Sequence, residues 1–283
     1  MRRGQDTESG GAAYGDRAAF DHGSDPNFFA YYERESLSET AIARFRGTMQ
    51  KLVALGAREG LRGGPLDVVD IGCGAGTQSR LWAEQGHRVY GIDVNQPLIE
   101  LARERSAAAR LTIKFDVGSA TRLPYETESM DICLMPELLE HVVDWRSCLD
   151  EAVRVLRPGG LLFLSTTNVL CPKQQEFNLP LYSWYPGVLK RRVEKLAVTT
   201  RPQWANYAKY PAVHWFSYYG LAAYLEARGM ESFDRFTMMD PNSLSGPKRI
   251  AAAGLRAFAP LRLLGHIMTE GTVVFAAKRR RTQ

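Results

Sequence analysis

The sequence predicts an α/β chain organised around a doubly wound parallel sheet, and three observations carry that reading. Val68-Val69-Asp70-Ile71 reads as a buried strand that Gly72, Gly74 and Gly76 end at alternate positions, with an amphipathic stretch over 78–85 opening a helix. Such a strand, glycine turn and helix start bring bare backbone N–H groups close to a ligand. Arg88-Val89-Tyr90-Gly91-Ile92-Asp93-Val94-Asn95 alternates into an acid at its end. Asp93 stands about 20 residues past the turn, where a nucleoside-binding α/β unit places a ribose-binding carboxylate. Finally, strand and helix patterns alternate five times over 66–168.

The elements follow in order. Residues 1–25 are glycine-rich and polar, which predicts a mobile segment ahead of a single domain over 26–283. A loose apolar face from Phe28 to Leu52 predicts a helix over 27–54. After the five alternations, 169–213 breaks the rhythm with five prolines, two tryptophans and five tyrosines or phenylalanines. That stretch is too long for a turn and suits an ordered insertion lining a ligand cleft, with Trp184 and Tyr185 as substrate-side candidates. A helix over 221–228 stops at Gly229, and 231–238 and 271–277 read as the last two strands. Between them, Lys248, Arg249, Arg256 and Arg262 alternate with a leucine-rich face in 247–268. An amphipathic helix of this kind either lies on a membrane surface or packs on its own domain. The stretch 240–270 is the second substrate-side insertion.

At the motifs the chain resembles the class I S-adenosylmethionine (SAM)-dependent methyltransferases. Val68 to Gly76 and Gly91 to Asn95 match, as do Val117-Gly118-Ser119-Ala120, Met130 to Val142 and Leu156 to Asn168. Glu-x-x-Glu-His-Val followed by Ser-Thr-x-Asn is nearest the ubiquinone-biosynthesis O-methyltransferase branch. The resemblance implies a Rossmann-like methyltransferase fold with seven strands, mostly parallel, the last two paired antiparallel, and SAM as cofactor. The family often places a helix near the N-terminus over the active site; packing on the sheet edge is the competing reading for 27–54. The resemblance also implies a donor site at Asp70, Gly72, Cys73, Gly74, Gly76, Asp93, Val94, Ser119, Ala120, Met135 and Pro136. Asp70 fixes the glycine turn and reaches the SAM amino group through water, while the carbonyl of Met135 or Pro136 accepts from that group. Ser119 stands where the family usually has an Asp for the adenine amino group, so its hydroxyl keeps one acceptor and the Ala120 N–H serves the ring.

The expected reaction is O-methylation of a phenol or quinone precursor, a sugar or a natural product. A hydroxyl nucleophile needs a base, and imidazole titrates in the right range. His141 is the candidate, with Glu137 four residues before it on one helical face. Glu137 orients the imidazole or contacts the methionine part of SAM. Glu137, His141 and Asp144 as divalent-metal ligands, or His141 as a helix cap, are the competing readings; no metal is assigned. His214, where the pattern resumes after the insertion, is either a substrate-facing residue or a packed one. His22, His87 and His266 have no constellation around them.

Other classes are excluded or set aside. Gly-x-Gly-x-Gly is not the dinucleotide Gly-x-Gly-x-x-Gly, and no Lys-Ser/Thr follows for a P-loop. The net charge of +5 sits largely in Lys190-Arg191-Arg192 and the tail, without a zinc pattern, RNA-binding strand signature or basic helix-turn-helix. The expected partner is therefore a small-molecule acceptor, with no nucleic acid. No apolar run reaches the roughly 18 residues of a membrane helix. The start lacks a hydrophobic signal core, and Cys73, Cys133, Cys148 and Cys171 have no Cys-x-x-Cys pairing. These point to a reduced, cytoplasmic protein. A non-catalytic SAM-binding protein at a membrane, or transfer to nitrogen or carbon, remains the alternative function.

Overall fold

A computed structural model describes residues 35–205, 212 and 214–280. The N-terminal segment 1–25 and the beginning of the expected 27–54 helix lie outside the described residues. So does His22.

The sheet has seven strands in the order β3-β2-β1-β4-β5-β7-β6. Strands β1 (Asp67–Ile71), β2 (Arg88–Asp93), β3 (Ile113–Val117), β4 (Met130–Pro136) and β5 (Leu156–Thr167) run parallel. β7 (Gly271–Lys278) enters antiparallel between β5 and β6 (Met230–Asp234). This is the mostly parallel methyltransferase sheet that the motifs imply. All five residues of β1 are buried, as a central strand covered on both faces requires. Alternation assigns the two faces. Val69, Ile71, Leu162 and Leu164 pack on one side with α4 (Trp145–Val155). Val68, Leu134, Leu161 and Phe163 pack on the other against Leu52 and Leu55 of α1 (Glu39–Glu59).

The caps set the boundaries that apolar spacing left open. α1 starts where Ser38 accepts the Ala41 N–H, and ends only at left-handed Gly60 (φ +69°). It therefore runs to Glu59 rather than 54, and Leu55 and Gly56 are buried on its last turns. The short α2 (Thr77–Ala83) follows the glycine turn and α3 (Gln96–Ala108) follows β2. Pro158-Gly159-Gly160 is not a turn ahead of β5 but an irregularity inside it, with the register against β4 jumping between Met130 and Ile132. In the insertion, α5 (Gly187–Thr199) packs with Phe177 and Tyr182 as a separate small core. α6 is Tyr218–Glu226, three residues earlier than its apolar pattern suggests because Ser217 caps it. β6 stops at Asp234 rather than 238, since Asp234 turns back to accept the Thr237 N–H at 2.7 Å.

The basic stretch is two helices, not one: α7 (Gly246–Ala257) and α8 (Ala259–Ile267), broken at Phe258. Pro260 has no N–H to give the Arg256 carbonyl, and Arg262 supplies that bond instead at 3.2 Å. His266 is also not isolated. Its Nε2 lies 3.0 Å from Asp234 Oδ2, both side chains are buried, and Tyr218 stacks on its ring. Burial opposes the charge on Asp234, but His266 and Thr237 outweigh it and hold the carboxyl below its usual range. Asn168 fastens the end of α8 by donating to the His266 and Thr269 carbonyls at 2.7 Å.

Candidate functional site

The carboxyl ends of β1, β2, β4 and β5 share one edge, where open α/β sheets bind ligands. The glycine turn leaves β1 there. Gly72, Gly74 and Gly76 have φ of +73°, +51° and +72°, a region that L side chains adopt at a cost. Space is closed as well. A Cβ on Gly72 would lie 2.9 Å from Leu138 Cδ1, and one on Gly76 2.9 Å from Phe115 Cζ. The Gly72 and Cys73 N–H groups donate to the Ile92 carbonyl at 2.8 and 3.1 Å. This ties the turn to β2.

Asp93 at the end of β2 completes the turn. Its Oδ2 accepts the Gly74 N–H and its Oδ1 the Asn95 N–H, each at 2.9 Å. It is half-buried at the open edge of the sheet. Val94 beside it is exposed. Asp70 is buried; its Oδ2 accepts from Ser79 Oγ at 2.6 Å, while Oδ1 has no hydrogen-bond partner among the described residues. Burial pushes its carboxyl up to about 7, with Asp93 nearby adding repulsion and Ser79 opposing. Cys73 is a buried free thiol, as are Cys133, Cys148 and Cys171.

The loop after β3 reaches the same edge, with the Gly118 N–H donating to the Asp93 carbonyl at 2.9 Å. Ser119 is exposed, and its hydroxyl closes a local turn with Thr121 Oγ1 at 2.8 Å and the Thr121 N–H at 3.2 Å. Ala120 is half-buried beside it.

The segment after β4 departs from the helical expectation. Met135 is buried on the strand, and Glu137 follows Pro136 with φ +49°. Glu137 N–H donates to the Ser165 carbonyl at 2.8 Å and Ser165 Oγ donates to Glu137 Oε1 at 2.5 Å. His141 ends a 3-10 turn, Leu139–His141, and α4 begins only at Trp145. Glu137 and His141 therefore do not share a helical face. Between them Glu140 is buried, accepting from Thr166 Oγ1 at 2.7 Å; burial, then nearby Glu137, raises its carboxyl well above the ordinary range. Asp144 is the N-cap of α4, accepting from Ser147, and no group of three metal-ligating side chains occurs among the described residues.

His214 lies against this turn. Its N–H donates to the Glu140 carbonyl at 3.3 Å and its Nε2 is 3.1 Å from the Val143 carbonyl. A carbonyl only accepts, so Nε2 carries the hydrogen. Burial lowers the basicity of its ring. Trp184 is exposed and donates to the Leu170 carbonyl at 3.1 Å; Tyr185 packs on Tyr182 with ring centres 5.3 Å apart.

A cavity of about 580 Å³ opens at this edge beside Pro136, Glu137 and Ser165, floored by Phe163. Neither Trp184, Tyr185, His141 nor His214 lines it. Three cationic side chains that sequence reasoning did not single out do: Arg44 and Lys51 from α1, and Arg235 after β6. No local pattern marks them, because Lys51 and Arg235 meet only when both cover β5 and β7.

The glycine turn thus joins buried Asp70 and half-buried Asp93 at one edge of the sheet. Comparison with known proteins bears on that arrangement. Residues 69–164 match a family model described as a methyltransferase domain. A ubiquinone biosynthesis O-methyltransferase of Coxiella burnetii is 35% identical over 101 residues, 36% of this chain and 43% of the relative. A malonyl-[acyl-carrier protein] O-methyltransferase of Serratia marcescens is 35% identical over 99 residues, 35% of this chain and 37% of the relative. The chain thus spans about two fifths of the length of these curated relatives. The YcgJ protein of Bacillus subtilis shares the fold at 18% identity, with a TM-score of 0.51 over 82% of this chain and 99% of that one.

Proposed function

We propose that this chain, whose residues 69–164 match a methyltransferase domain, moves the methyl group of SAM to a hydroxyl of a small molecule. The observation that carries this reading is Asp93, an acid at the end of β2 that holds the left-handed glycine turn by the Gly74 N–H, where a ribose-binding carboxylate stands in a nucleoside-binding α/β unit. SAM supplies an electrophilic methyl on a sulfonium. The turn at 72–76, Asp93, Val94 and the Ser119-Ala120 loop hold the adenosine. Asp70 fixes the turn and reaches the donor's amino group through water, and the carbonyl of Met135 or Pro136 accepts from that group. The O-methyltransferase relatives support oxygen as the methylated atom. The insertions 169–213 and 240–270 belong to one domain over 26–283, while the lining of the cavity comes from α1, the ends of β4 and β5, the segment after β6, and β7. Four unpaired cysteines fit a reduced, cytoplasmic setting.

The protein's task is alignment and exclusion of water. His141, half-buried on the turn after β4 and outside the lining of the cavity, takes the proton of an acceptor that reaches past Glu137 at the cavity rim. Radiolabelled methyl transfer from SAM to a panel of phenols and sugars tests the reaction. His141→Ala is expected to lower kcat by about 10²–10⁴-fold, the usual worth of a general base, with unchanged affinity for S-adenosylhomocysteine (SAH). Full turnover in that variant removes the base assignment; SAM binding without transfer to any hydroxyl removes O-methylation.

Asp70 gives a pH dependence. Its folded pKa near 7 lies above the ordinary carboxylate value, so folding binds the proton more tightly. That contribution is full below about pH 4 and is lost as pH rises through 7. A cationic donor favours the ionised carboxylate, so binding releases a proton and SAM affinity rises between pH 6 and 8, by about tenfold per unit of pKa change. Calorimetry in two buffers of different ionisation enthalpy reads the proton. Asp70→Asn should flatten its share of the slope; an unchanged slope counts against the contact.

The α7–α8 pair favours peripheral membrane contact as a second reading. Ile250, Phe258 and Met268 are 77%, 61% and 74% exposed, among Lys248, Arg249, Arg256 and Arg262. No acid occurs from Pro241 to Thr269. An apolar face rimmed by cations suits an anionic bilayer. No helix among the described residues is long and apolar enough to cross one. Co-sedimentation with phosphatidylglycerol vesicles, lost in Ile250→Asp/Phe258→Asp, is expected; equal retention with neutral phosphatidylcholine vesicles contradicts it.

A further inference from the structure

The cavity at the carboxyl edge carries more positive charge than methyl transfer to a neutral hydroxyl requires. Arg44, Lys51 and Arg235 line it, and Glu137 is the one carboxylate among the described lining residues. Glu137 is already engaged by Ser165 Oγ at 2.5 Å. Arg235 gives one terminal nitrogen to the Gly271 carbonyl, but its Nε is buried with no hydrogen-bond partner among the described residues. Burial lowers the basicity of Arg235 against the pull of Glu137 and Asp234. Burial, then the neighbouring Arg235, also lowers that of Lys51. Two cations thus line one cavity, Lys51 exposed and Arg235 half-buried with a donor atom unspent. An unspent buried donor is costly, and an anion in the cavity would lie beside the Arg235 guanidinium and offset the like charge of Lys51.

The remaining wall is apolar. Phe45, Phe163, Phe275 and Met239 face the same space, and about 580 Å³ exceeds what a single ring occupies. None of Gly72, Gly74, Gly76 or Asp93 lines it, so this charge lies apart from the nucleoside turn.

We infer that the cavity binds an acceptor bearing an oxyanion group, a carboxylate or a phosphate, on an apolar ring-sized body. Arg235 is the anchor and Lys51 its neighbour. A guanidinium matches both groups through paired N–H donors. Calling the ligand an acceptor rests on the methyl-transfer reading above; the presence of an anion site does not.

The test uses the full chain saturated with SAH. Titration with SAH alone comes first: no binding there breaks the methyl-transfer reading and leaves the anion site to be tested by the same titrations in the unliganded chain. Protocatechuate, phenyl phosphate and catechol are then titrated calorimetrically. At least one anion is expected to bind about tenfold or more tighter than catechol, a difference of about 1.4 kcal/mol. A preference for protocatechuate identifies a carboxylate ligand, and one for phenyl phosphate a phosphate ligand. Arg235→Gln should abolish the advantage, and Lys51→Gln should reduce it several-fold, both with unchanged SAH affinity. Catechol binding as well as both anions, no binding of either anion, or an Arg235→Gln variant that keeps the advantage overturns the inference. So does a matching loss of SAH affinity, which would assign the cations to the donor. Should Arg235→Gln fail to fold, as judged by circular dichroism, Lys51→Gln decides: undiminished discrimination in that folded variant overturns it equally.

Discussion

Replacing Gly76 by valine lowers the melting temperature by about 4–20 °C. The left-handed backbone at φ +72° costs an L residue about 1–2 kcal/mol. The new Cβ would stand 2.9 Å from Phe115 Cζ and 3.0 Å from Ala102 Cβ, and overpacking of that kind costs about 1–3 kcal/mol more. At about 2–4 °C per kcal/mol for a chain of this size, the sum gives the stated range. Gly76→Ala shows the smaller part of the same loss. Gly47→Ala is the control: it lies inside α1 with nothing within 4 Å of the added carbon, and should be neutral or stabilising by about 0.5–1 kcal/mol. Thermal denaturation followed by circular dichroism reads all three. A Gly76→Val protein melting within 2 °C of the wild type would show that the turn relaxes freely.

Asp93→Ala weakens SAH binding by about 10²-fold while leaving the fold intact. Hydrogen bonds to a charged partner contribute about 1.5–3 kcal/mol each. The carboxylate also orients the turn through the Gly74 and Asn95 N–H groups. It is half-buried at a strand end, so the expected shift in melting temperature is a few degrees. Asp93→Asn keeps one carbonyl and should fall between wild type and alanine. A folded Asp93→Ala protein with undiminished SAH affinity would reduce Asp93 to a turn cap.

The parts of the fold readable in the sequence are those fixed by local chemistry. Val68 to Gly76 and Arg88 to Asn95 announce strand, turn and acid because period and glycine placement are short-range. Pro260 held a visible sign of the break between α7 and α8, though the basic-leucine pattern reads through it. Helix ends needed the caps: Leu52 closes the obvious apolar face, yet α1 continues to Glu59, where Gly60 caps it. Glu137 and His141 have helical spacing, but long-range bonds from Glu137 to Ser165 pull the chain into a left-handed residue and a 3-10 turn. The pairing of His266 with Asp234 depends on α8 folding onto the turn after β6. Arg235 and Lys51 meet only through the sheet, so neither stood out as a site residue.

A single titration bears most directly on the nucleoside-donor claim: calorimetry of the full chain with SAM and with SAH. Saturable one-to-one binding of both is the predicted result, with SAM gaining affinity as pH passes 7. Absence of heat and of any thermal stabilisation by either compound, in a chain that is folded, would contradict it.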